Sequence, residues 1–117
     1  IGCPVIASLS GVDYALVVFE PTLSGLHDGM RVIDVAHHFN VRTMAIINKS
    51  DLNPDITNKI QSLCVAKDIP FVGTLPFDRD IVSSVACAKT VIEYSNSDAA
   101  VALRKMWRRI EEIIAER

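Results

Sequence analysis

Four consecutive residues, Asn48-Lys49-Ser50-Asp51, carry the most distinctive chemistry of the chain. They end the apolar run "MAIIN" and stand just before "LNPD", which has the composition of a helix start. An asparagine at a strand end can donate and accept at once, as the edge of a purine requires. The aliphatic stem of a lysine can cover the plane of a base while its ammonium stays in water. An aspartate three residues after the asparagine could accept from a ring N–H and an exocyclic amine, the pattern guanine presents. Asn48, Lys49 and Asp51 are therefore candidate base contacts. The same residues are equally read as an Asx-type turn leading into a helix at Pro54.

A second stretch, "LPFDRDI" (75–81), has a matching position after an apolar run. Pro76 fixes the backbone, Phe77 supplies an apolar surface, and Asp78 suits the cap of a following helix. Taken alone, this is a proline turn and a capped helix. Taken with the first stretch, it gives two loops at one sheet edge that could hold one flat base between them. A third stretch, "EPTLSGLHD" (20–28), brings Thr22, Ser24 and Gly25 to a helix start. Free N–H groups there could attract an anion, and capping by Ser24 explains the residues as well.

The elements that would position these loops alternate in type. "YALVVFE" (14–20) is a continuous β-branched and aromatic run, expected to be a strand buried on both faces. "TMAIIN" (43–48) and "PFVGTLP" (70–76) are two more strands. Over 25–39, Leu26, Met30, Ile33 and Ala36 recur at helical spacing. The next helix should open with Asn53 as its cap, Pro54 in its first position and Asp55 against its dipole, with Ile56, Ile60, Leu63 and Cys64 as its apolar stripe. Shorter helices are expected at 79–88 and 2–10. The last, roughly 97–115, carries Val101, Leu103, Met106, Trp107, Ile110, Ile113 and Ile114 on a stripe wide enough to lie on a sheet. Alternating strands and helices specify an α/β fold with a parallel sheet and flanking helices. In such sheets ligands bind beyond the carboxyl ends of the strands, where all three stretches fall.

Composition bounds the rest. Half of the 117 residues are hydrophobic, enough for a real core and against disorder. A net charge of −2 leaves no electrostatic footprint for a nucleic acid. The basic run "LRKMWRR" is soon balanced by Glu111, Glu112 and Glu116, as on a solvated helix face. No apolar run approaches the ~20 residues of a membrane span. Cys3, Cys64 and Cys87 are odd in number and widely spaced, which suits reduced thiols in a cytoplasmic protein rather than a disulfide or metal framework. His27, His37 and His38 form no nucleophile arrangement with them. No catalytic residue and no metal ligand is assigned. The five glycines are scattered singly and no G-x-x-x-x-G-K-[ST] is present, so the chain could clasp a base but not a triphosphate. A first residue that is not methionine, in the middle of a loop-to-helix passage, leads to the expectation that further chain precedes it.

"GCPVIASLSGVDYALVVFEPTLSGLHD", "NKSDLNP" and "LPFDRDIVSSV", in this order, resemble the C-terminal half of MinD/ParA-type P-loop ATPases. The resemblance covers residues 1 to about 110 and is nearest to MinD-like ATPases with an inserted ferredoxin domain, which often carry a cobyrinic acid a,c-diamide synthase label. It implies that residues 1–117 are the C-terminal portion of a single P-loop NTPase domain, without its Walker A loop. It further implies ATP and Mg²⁺ in the intact protein, a homodimer around the nucleotide, and an iron–sulfur cluster in an inserted domain elsewhere. Carried over, Asn48 is the adenine-contacting asparagine, and Pro76, Phe77 and Asp78 are the loop beside base and ribose. Asp51 departs from the simplest adenine-reading pattern. A GTPase half reading guanine through Asn48 and Asp51, and a flavodoxin-like protein-interaction module without nucleotide, are the alternatives.

Overall fold

The computed structural model describes residues 9–76 and 98–115. The elements run β1 (Tyr14–Phe19), α1 (Leu23–His38), β2 (Arg42–Ile47), a 3₁₀ turn (Ser50–Leu52), α2 (Pro54–Ala66), β3 (Phe71–Thr74) and α3 (Asp98–Ala115). The strands form a parallel sheet in the order β1-β2-β3. Tyr14 to Phe19 pair in register with Arg42 to Ile47, whereas the β2–β3 pairing shifts between Ala45 and Ile46. This is the α/β layer arrangement that the sequence specifies.

Each face of the sheet has its own core. On one, Val17, Phe19, Ala45 and Ile47 pack with Leu26 and Ile33 of α1 and with Ile60 and Cys64 of α2. On the other, Ile46 and Leu75 pack with Met106 of α3. That alternation is the two-residue period of a strand expressed as two helix layers. β2, the central strand, is buried at every residue but Arg42. Met106 fits over Gly73, where an added Cβ would stand 3.0 Å from its Cγ.

The expectation of two-sided burial fails for β1. Val17 and Phe19 are buried, but Leu16 is 41% and Val18 54% exposed. β1 is an edge strand in this sheet, and α3 packs mainly on β3, at the other edge. α3 is also less buried than its stripe suggested: Met106 is enclosed while Trp107 is 61% exposed. α1 begins at Leu23 rather than at 25, and its cap is Thr22 rather than Ser24: the Thr22 hydroxyl accepts from the Gly25 N–H at 2.9 Å. The hydroxyl of Ser24 instead lies 3.3 Å from that of Thr22. α2 starts as expected, with Asn53 accepting from the Ile56 N–H and Pro54 in the first turn. The expected helices at 2–10 (beyond Leu9 and Ser10) and 79–88 lie outside the described residues, as do Phe77 and Asp78.

Candidate nucleotide-base site

All three loops leave the sheet at the same rim, because each follows the carboxyl end of a parallel strand. The rim is laced by backbone bonds. Asn48 N–H donates to the Phe19 carbonyl at 2.8 Å, and Leu75 N–H donates to the Ile47 carbonyl at 2.8 Å. Asn48 thus stands one step beyond β2, between the ends of β1 and β3.

The side-chain amide of Asn48 has a defined orientation. Its Oδ1 accepts from the Lys49 N–H at 3.0 Å. A backbone N–H can only donate, so the oxygen must face it, and the two amide N–H bonds remain for another partner. Lys49 takes the left-handed conformation, with φ 52°. That conformation is uncommon for a side-chain-bearing residue. It turns the chain sharply from β2 into the 3₁₀ turn, whose first residue, Ser50, donates through its N–H to the Leu75 carbonyl at 2.9 Å. Asn48, Lys49 and Ser50 are half-buried, and Asp51 is exposed. Asx bonding at Asn48 and Asn53 therefore coexists with an available amide at Asn48.

The Ser50–Leu75 bond changes how a ring could lie. The two loops touch each other, so a base cannot slide between them. The joint has Asn48 and Lys49 on one side and Pro76 on the other, all three half-buried. In the third loop the capping role is filled, by Thr22. Thr22 occupies the Gly25 N–H, and the turn closes so tightly that a Cβ on Gly25 would stand 2.5 Å from the Glu20 carbonyl oxygen. Among the described residues, no group of three or more His, Cys, Asp or Glu side chains converges as a metal site would require.

An open cleft of about 510 Å³ lies at the opposite rim, where Tyr14 and Arg42 begin their strands and Pro70 leads into β3. Its polar groups are largely engaged with one another: Arg42 donates to the Tyr14 hydroxyl at 3.2 Å, and His37 Nε2 is 3.0 Å from Thr43 Oγ1. Size alone does not outweigh the strand-end rule, and the cleft is not assigned to the chemistry.

The residues that sequence reasoning missed are Ser50 and Thr57. The Thr57 hydroxyl donates to the Ser50 carbonyl at 2.8 Å, and Thr57 and Thr43 are the buried polar residues of the described core. A helical threonine gives no sequence signal of this role, since its partner is seven residues back on a different element.

No protein-family model matches the chain. It is 28% identical over 114 residues to the uncharacterized protein MJ0578 of Methanocaldococcus jannaschii, covering 97% of this chain and 37% of that protein. Among solved structures, the cell division ATPase MinD of Pyrococcus furiosus superposes with a TM-score of 0.76 at 24% identity, over 92% of this chain and 45% of MinD. MinD of Aquifex aeolicus, alone and in the MinC:MinD complex, gives TM-scores of 0.74 and 0.73 at 19% and 18% identity. It is covered over 46% and 44% of its length, and this chain over 90% and 88%. The chain therefore spans less than half the length of each of these relatives, and its three parallel strands with flanking helices have a MinD-like fold.

Proposed function

We propose that this chain is the base-binding portion of a MinD-like ATPase, and that hydrolysis belongs to the intact protein. The observation that carries the reading is the placement of Asn48: an amide with its oxygen fixed by Lys49, at the strand-end rim of a MinD-like fold, directly beside the loop entered at Pro76. The donor set suits a purine. The N–H bonds of Asn48 can meet a ring nitrogen, Lys49 can lie over the ring plane, and Pro76 with Phe77 and Asp78 can border base and ribose. Asp51, exposed in the 3₁₀ turn, is the residue that would favour guanine.

In the intact protein, Mg²⁺ and the phosphate-binding lysine loop would supply the charge stabilisation that phosphoryl transfer needs, from segments preceding this one. The residues described here hold and orient the base; they move no proton. ATP would sit between two subunits of a homodimer, as the resemblance implies. No helix among the described residues is long and apolar enough to cross a membrane.

The test is nucleotide binding by the intact protein, read by thermal shift and calorimetry with ATP, GTP and no nucleotide. ATP should raise the melting temperature more than GTP. Asn48→Ala should weaken ATP binding by ~1–3 kcal/mol, the scale of lost hydrogen bonds with a group left unpaired. A preference for GTP that Asp51→Ala removes would transfer the assignment to a guanine reader. Indifference to both nucleotides would leave the protein-interaction module as the better account.

A further inference from the structure

Resting on the purine reading, we infer that Thr57 and Ser50 are the positioning residues of the base site: together they form a bracket that sets the distance between its two loops. The bracket spans three elements. Thr57, in the first turns of α2 and 7% exposed, donates its hydroxyl to the Ser50 carbonyl at 2.8 Å. Its own N–H keeps the helical bond to Asn53, at 3.0 Å. Ser50 in turn sends both its N–H and its hydroxyl to one acceptor, the Leu75 carbonyl, at 2.9 and 3.2 Å. Leu75 closes the figure through its N–H on Ile47. Helix, turn and strand end are thus bolted at one point.

That point adjoins both halves of the site. Asn48 and Lys49 immediately precede Ser50, and Pro76 immediately follows Leu75. Neither hydroxyl is needed to end a strand or start a helix: the Asn53 side chain caps α2, and backbone bonds close the sheet. Nor does a helical threonine ordinarily reach outside its helix, because its hydroxyl has the carbonyl of the preceding turn at hand. Here it reaches the turn that carries the base contacts. The physical effect is pre-organisation: a loop already held in its binding geometry loses less freedom when the ligand arrives. Neither residue touches the ligand in this scheme.

The experiment uses the intact protein and two probes, ATP and inorganic tripolyphosphate, which shares the charged tail but has no base. Thr57→Val keeps the shape and removes the donor; Thr57→Ser restores it; Ser50→Ala removes only the second bond to Leu75. The expected result is that Thr57→Val weakens ATP binding by about tenfold, the scale of one buried hydrogen bond. Tripolyphosphate binding stays unchanged, Thr57→Ser recovers most of the loss, and Ser50→Ala shows a smaller loss of the same kind. Equal weakening of both probes by Thr57→Val, or an unchanged ratio between them, would overturn the positioning role while leaving the purine reading intact. Wild-type protein that binds ATP no better than tripolyphosphate would overturn both.

Discussion

The ring of Phe19 lies directly on the Cα of Gly29: a Cβ built there would stand 2.2 Å from Phe19 Cε2 and 2.5 Å from Cδ2. The contact lets α1 approach the end of β1 closely, and the same Phe19 offers its carbonyl to Asn48. A packing detail under the sheet therefore supports the rim above it.

Gly29→Ala should destabilise the protein even though alanine is the better helix former. Propensity favours the change by about 1 kcal/mol. Phe19 is 1% exposed and its ring is held by the surrounding core, so it cannot swing aside as a flexible side chain would. Overpacking of this kind costs ~1–3 kcal/mol. A urea denaturation midpoint that falls supports the contact; a midpoint that rises refutes it.

The two caps should differ in effect. Asn53→Ala removes the acceptor for Ile56 N–H and should cost ~1 kcal/mol. Because Asn53 also ends the 3₁₀ turn, amide exchange should speed up in both the first turn of α2 and residues 50–52. Thr22→Ala should cost a similar amount at α1 and leave exchange at 50–52 unchanged, since the bonds of Thr22 among the described residues go to Glu20, Ser24, Gly25 and Leu26.

Burial pushes the Cys64 thiol above its ordinary 9.0. The folded chain keeps the neutral thiol where the unfolded chain would ionise it. Its contribution to stability is whole below the unfolded value and is lost as pH rises from about 9.0 through the raised folded value. A Cys64→Ala variant should lose less stability between pH 8 and 10 than the wild type. At neutral pH, iodoacetamide should leave Cys64 unmodified in folded protein and modify it once urea is added, read by peptide mass mapping. Modification of Cys64 in the native state would contradict its burial.

Leu16 and Val18 expose apolar side chains along an edge strand, the kind of surface that a folded protein covers. Under the proposed function, the covering element is the preceding part of the same NTPase domain. Val18→Lys in the intact protein should then behave as a core substitution, costing ~2 kcal/mol or more. A change within ~0.5 kcal/mol would mark the position as solvent-facing in the whole molecule.

The outline of the fold was legible because its signals are local. Continuous β-branched runs mark the three strands, and Asn53-Pro54-Asp55 marks the start of α2. What misled was also local. "YALVVF" reads as a strand enclosed on both faces, but enclosure depends on which neighbours stand beside it, and an edge position is not written in the strand itself. Thr22 and Ser24 are both good caps by type, and only the backbone at Thr22, extended at φ −130° and ψ 159°, decides between them. Trp107 falls on an apolar stripe by spacing, yet α3 rests on β3 through Met106 and leaves the indole outside. At the site, Asn48 was visible as a chemical type at a strand end. The Ser50–Leu75 joint was not, because it links residues 25 positions apart through a main-chain acceptor that every residue possesses.

The parallel pairing of β1 with β2 sets an order on biosynthesis. Tyr14 meets its partner Arg42 only after 28 further residues have been made, with the whole of α1 in between. Until β2 has been made, the strand "YALVVF" lacks the partner it has in this sheet, and non-local closures of this kind are intrinsically slow. The β1–β2 ladder is thus a closure that waits on the synthesis of the whole intervening helix.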